Sequence, residues 1–132
     1  MNSPNYKKQC VEIDDLQLND EFKRIPADYA YWSGLYSEAK QVYLLAKIER
    51  SHVWARTRLE LRETLTMQGE RVTEARLDAE AEVNDEYHHA RQEEALAEVE
   101  MVRLNGVLEA IKTKREMLIS LGAHVRQEMK TF

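Results

Sequence analysis

From Tyr87 onward, apolar residues recur in alternating steps of three and four. Tyr87, Ala90, Ala97, Met101, Leu104, Leu108, Ile111, Leu118, Val125, Met129 and Phe132 hold these positions, interrupted by Glu94, Arg115 and Gly122. That period lays them along one seam of a long helix, as in a coiled coil or a bundle. A second row, Val99, Val102, Val107, Ala110, Met117 and Leu121, widens the apolar face. One partner helix covers a narrow seam, whereas a face this broad calls for two or more neighbours. The pattern therefore predicts an assembly helix, with Met101, Leu104, Leu108, Ile111, Leu118 and Val125 joining subunits of an oligomer. An intrachain bundle that buries the same face is the alternative.

Upstream the pattern is different. Residues 1–25 read as a polar N-terminal arm, with Val11, Ile13, Leu16, Leu18 and Phe22 too loosely spaced to define a face. A short helix from Asp14 to Lys23 fits within that arm. Ile25-Pro26 marks a boundary, because a residue before proline is pushed out of the helical region. Pro26 then suits the first turn of a helix over 26–67, where its missing N–H costs little. Gly69 is placed to end that helix in a left-handed conformation. Thr73 opens a short helix over 73–83, and Asn84 or Asp85 caps the terminal helix over 84–132. No segment reads as a strand. The predicted fold is all-α, an elongated helical hairpin with a long C-terminal coiled-coil-like helix, assembled as an oligomeric bundle or ring. Residues 26–132 form a single helical domain.

Composition agrees with long helices: 132 residues contain four glycines and two prolines, and 33% are charged. The lone Cys10 cannot form an internal disulfide, which suits a reducing cytosol. No apolar run approaches a membrane span, so the expected location is cytoplasmic. The net charge of −5 is unevenly spread. Glu70 to Glu100 carries eleven acids against three bases. Lys40 to Gly69 and Met101 to Phe132 each carry six bases against three acids. Phosphates respond to local potential, so an acidic average does not exclude nucleic acid.

The basic segments have a shape of their own. At 100° per residue, Tyr36, Lys40, Tyr43, Lys47, Arg50, Trp54, Arg58 and Arg62 share about a third of the second helix's circumference. Rings and cations alternate there, as on surfaces that hold single-stranded nucleic acid: cations offset phosphates and rings stack on unpaired bases. A core reading competes. Tyr29, Trp32, Tyr36, Ala39, Tyr43 and Ala46 also form a three-four seam that can pack on the terminal helix, with Lys and Arg stems along its edge. The stretch from Lys47 to Arg62 is the stronger contact, because there the cations dominate. Lys112, Lys114 and Arg115, with Arg126 and Lys130 beyond them, form a further basic cluster. Arg115 falls on the heptad seam, where a charge needs pairing or hydration.

These residues resemble the UvsY family of bacteriophage recombination mediators. The likeness lies in the order of His52-Val-Trp-Ala-Arg-Thr-Arg-Leu59, an acidic linker, and Leu108-Glu-Ala-Ile-Lys-Thr-Lys-Arg115. Arg56-Thr57-Arg58-Leu59 matches the family's Lys-x-Arg-Leu element with Arg in place of Lys. Ala110 to Lys114 matches its Ala-Ile-Lys-Ser-Arg-like element, and the likeness spans about residues 29–128. It implies a protein that is not an enzyme and has no cofactor. Such a mediator binds single-stranded DNA, forms a ring-like homo-oligomer through its C-terminal helices, and acts in the cytoplasm of the infected bacterial host. It contacts a single-strand-binding protein and a RecA-like recombinase, and helps the recombinase load in DNA recombination and repair. The expected DNA contacts are Lys47, Arg50, Trp54, Arg56, Arg58, Arg62, Lys112 and Lys114. Arg56 and Arg58 stand about 200° apart on an ideal helix, so only Arg58 lies on the aromatic–basic row.

Two other classes remain open. One is a structural coiled-coil protein, such as a phage assembly or scaffolding factor without DNA binding. The other is an all-α nucleoside triphosphate pyrophosphatase. Glu60-x-x-Glu63 and Glu82-x-x-Asp85 match its paired acids in bare form, as oxygen ligands for Mg²⁺. The histidines predict no metal site. His88 and His89 are adjacent and point apart on a helix, while His52 and His124 lack a ligand at i+4.

Overall fold

A computed structural model describes residues 4–13 and 18–131. These form α1 (Pro4–Val11), α2 (Leu18–Met67), α3 (Glu74–Glu82) and α4 (Asp85–Thr131), with no strand among the described residues. The chain divides into two compact units rather than one domain and an arm. The first comprises Met1–Glu38 with Val102–Phe132, the second Ala39–Met101.

In the first unit α1, α2 and α4 share a core. Glu21, Ile25, Asp28 and Trp32 are buried on α2, and Leu104, Val107, Leu108, Ile111, Lys114 and Leu118 on α4. From α1, Cys10 is buried, and the Tyr6 ring stacks on Trp32 at 6.2 Å and meets Tyr31 edge-on at 5.4 Å. The expected break at Ile25-Pro26 is absent, and α2 begins at Leu18 with Pro26 inside it. An internal proline costs a helix about 3 kcal/mol through a lost bond to the carbonyl of residue i−4 and a clash with it. Here the buried row Glu21, Ile25, Asp28 and Trp32 runs unbroken past Pro26, while Pro26 and Phe22 face solvent. Tertiary packing on one side of the helix outweighs a lost bond on the other. Of the expected helix from Asp14 to Lys23, residues 14–17 lie outside the described residues. The segment read as a polar arm supplies both α1 and the first turns of α2.

In the second unit α2, α3 and α4 meet. Val53, Tyr87 and Ala90 form an apolar cluster with Trp54 against it. Ala39, Thr57, Leu65, Leu77 and Ala81 are also buried. Gly69 takes φ 70°, the left-handed conformation glycine reaches without strain, and turns the chain out of α2. Thr73 Oγ1 accepts from the Arg76 amide at 3.2 Å, and Asn84 Oδ1 accepts from the Tyr87 amide at 3.0 Å. Each satisfies an amide that a helix start leaves without an intrahelical partner.

The seam on α4 is thus filled from within the chain. Leu104, Leu108, Ile111 and Leu118, expected to join subunits, are buried in the first unit's own core. Met101 is half-buried in the second unit, and Val125 is 40% exposed. Intrachain packing wins because α1 and the early turns of α2 supply neighbours that the sequence reading did not count. Seam register also differs near residue 115: Lys114 turns inward and Arg115 outward to solvent.

Candidate nucleic-acid interface

Most cations of the predicted DNA face on α2 are engaged within the second unit. Arg50 pairs with Glu94, and Tyr87 beside it, together with Glu94, raises its affinity for the proton. Arg56 donates to Glu86. Arg58 bridges Glu74 and Asp78, the latter at 3.0 Å, and Arg62 donates to Glu74 at 2.7 Å. Arg62 and then Arg58 hold the Glu74 carboxyl below the usual carboxylate range. Each of these acids occupies a guanidinium that a phosphate would otherwise take. The acidic middle of the chain is therefore the counter-surface of the α2 arginines, not a spacer between two basic segments.

Trp54 is not an open stacking platform. Its ring lies 4.8 Å from the Tyr87 ring at a tilt of 51° and is half-buried. Packing takes the residue that the aromatic–basic row offered to bases. Lys47 remains exposed and makes no ion pair among the described residues. Arg56 and Arg58 meet their acids from different sides of α2, as their angular separation requires, and α2 continues through both.

In the first unit Lys114, expected at the interface, is fully buried. Its Nζ lies 2.5 Å from Glu21 Oε2, while Glu21 Oε1 accepts from Arg24 at 2.7 Å. A lysine so enclosed cannot reach a phosphate on the surface. Lys112 is exposed and donates to Glu109 at 3.2 Å, which raises its affinity for the proton. Arg115, Arg126 and Lys130 are exposed and make no ion pair among the described residues. At 100° per residue these three and Lys112 fall within about 60° of one another on α4. Beside the upper part of this line, α2 and α4 enclose a recess of about 300 Å³, lined by Ile25, Tyr29, Ile111, Lys112, Arg115 and Glu116. Tyr29 is 36% exposed and presents the only ring in that lining.

One acid of the pyrophosphatase alternative is engaged elsewhere. Glu82 accepts from Arg91 at 3.1 Å. Among the described residues no three His, Cys, Asp or Glu side chains converge as a metal site. No helix among the described residues is long and apolar enough to cross a membrane.

No protein-family model, curated protein or solved structure matches this chain.

Proposed function

We propose that this chain is a self-associating helical protein that binds single-stranded DNA and acts as a recombination mediator. In that role it passes a strand from a single-strand-binding protein to a RecA-like recombinase. The observation that carries DNA binding is the line Lys112, Arg115, Arg126 and Lys130 on α4, of which three are free of acidic partners among the described residues. Two further features support the reading. Exposed apolar residues on α2 and α4 offer surfaces for assembly, and the order of sequence elements resembles that of the UvsY family. Mechanistically, each subunit offers a small basic surface that holds a strand weakly. Several such surfaces in one assembly raise the total affinity through effective concentration. A strand bent along them is a poorer seat for the single-strand-binding protein.

Salt tests this directly. Four phosphate contacts on a single strand give a log–log slope of roughly −3 against salt concentration. A slope near zero, or no binding to an unlabelled-competitor-sensitive oligonucleotide, removes the proposal.

A second reading has an observation of its own. Pairing of Arg50, Arg56, Arg58 and Arg62 with Glu94, Glu86 and Glu74 is what a structural coiled-coil protein needs to hold α2 to α3 and α4 without DNA. Assembly without any oligonucleotide binding is the outcome that selects it.

A further inference from the structure

We propose that the recess between α2 and α4 in the first unit takes one base of a bound single strand and prefers bases with an exocyclic amino group. This rests on the reading of the chain as a single-strand binder and names what one of its sites recognises.

The lining divides by chemistry. Ile25 and Ile111 are buried and form an apolar floor. Tyr29 adds an aromatic ring, on which a base of any sequence can stack. About 300 Å³ is the lower end of the range for small-molecule sites, which suits a single base rather than a larger ligand. Arg115 brings a guanidinium with no acidic partner among the described residues. Lys112 is tied to Glu109, but that pair is exposed on both sides and exchanges readily for a phosphate.

Glu116 sets the preference. An ionised carboxylate only accepts hydrogen bonds. Cytosine and adenine present an amino group on the edge that also carries their pairing contacts, and guanine has donors of its own. Thymine turns a carbonyl acceptor to the corresponding position. A base stacked on Tyr29 with its edge toward Glu116 therefore gains a charge-assisted hydrogen bond if it has an amino group. Thymine offers that carboxylate only its N3–H, flanked on both sides by carbonyl oxygens that repel it, so its bond there is the weaker one.

Glu116 also lowers the positive potential at the mouth of the recess, so the recess by itself is a poor anion site. Phosphates of the same strand find Arg126 and Lys130 farther along that side of α4, and these make the recess effective for a strand but not for a mononucleotide.

The test uses the full chain and fluorescence anisotropy with short labelled oligo-dC, oligo-dA and oligo-dT. Expected is an affinity about tenfold higher for dC and dA than for dT, the factor one hydrogen bond of ordinary strength supplies. Glu116→Gln, which donates as well as accepts, should remove that gap chiefly by improving dT. Tyr29→Leu should weaken all three strands alike, and deoxycytidine monophosphate should compete poorly. Circular dichroism melts confirm that the variants stay folded. Equal affinities for the three strands, unchanged by Glu116→Gln, overturn the recess and leave strand binding intact. A mononucleotide that competes as well as the strand overturns the polymer requirement. Absence of binding to every strand overturns the single-strand reading and the recess with it.

Discussion

Lys114 Nζ and Glu21 Oε2 meet at 2.5 Å with their side chains 0% and 6% exposed. Together they pin the first turns of α2 to α4 in the first unit. Removing Lys114 leaves Glu21 buried with Arg24 on Oε1 as its remaining partner, at a cost near the lower end of the about 3–5 kcal/mol that breaking a buried pair carries. Lys114→Ala is therefore expected to lower the urea midpoint sharply. Replacing both, as Lys114→Met with Glu21→Leu, should recover most of the loss, since apolar side chains of similar volume fill the site without a desolvation penalty. A double-mutant cycle reads this as a strong coupling between the two positions.

Tyr6 makes docking of α1 sensitive to alkali. Burial first, then the nearby Cys10 and Asp28, push its phenol up to about 12 from the usual 10. Between those values the unfolded chain releases the Tyr6 proton while the folded chain keeps it. The native state then binds more protons, so stability falls as pH rises through that window. Below pH 10 the contribution is fully present. Trp32 stacks on Tyr6, so its fluorescence in a Trp54→Phe background should report α1 leaving as pH passes 10. Tyr6→Phe should shrink that pH-dependent step to the share of the Cys10 thiol, which burial also pushes up.

The arginines on α2, paired with acids in the structure, are expected to contribute to stability rather than to affinity. Arg58 joins α2 to α3 through Glu74 and Asp78. Arg58→Ala should lower the urea midpoint and leave affinity for a mixed-sequence single strand nearly unchanged. Arg115→Gln with Arg126→Gln should do the reverse, with the salt slope shallower by about 1–2, close to the number of phosphate contacts removed. Affinity lost with Arg58→Ala at full stability would return the DNA face to α2.

Helices and their caps were legible along the chain because their causes are local. Thr73 and Asn84 cap helices by accepting from amides three residues on, and Gly69 supplies a left-handed turn that few other residues tolerate. What surrounds each helix was not legible. The period that put Leu104, Leu108, Ile111 and Leu118 on one face is the same whether another subunit or the chain's own α1 and α2 cover it. Near residue 115 the pattern admits either of two adjacent charges, and only Glu21, far away in sequence, decides that Lys114 is the inner one. Burial of α1 had a faint signal in Tyr6 and Cys10, one helical turn apart. The pairing of the basic face with the acidic middle had a stronger one, since the two segments carry opposite charge.

The proposed assembly is expected to use a face other than the α4 seam, whose central residues are buried within the chain. In the second unit Leu45, Ile48 and Leu59 on α2 are each more than half exposed, and Leu44 lies beside them. The opposite side of α2 is the one that carries Ala39, Val53 and Thr57 into the core. A helix apolar on two sides has one left to cover, and contiguous exposed apolar surface marks a contact site. Leu45→Gln with Ile48→Gln should therefore reduce the mass of the assembly in light scattering while helical content and melting temperature hold. Leu108→Ala should act differently: it empties a buried position in the first unit and should cost about 2–5 kcal/mol of stability. A wild-type mass equal to one chain at micromolar concentration would end the assembly reading. A mass that the glutamine pair leaves unchanged would move the contact to another exposed face, of which Leu96 and Val99 on α4 are the next to test.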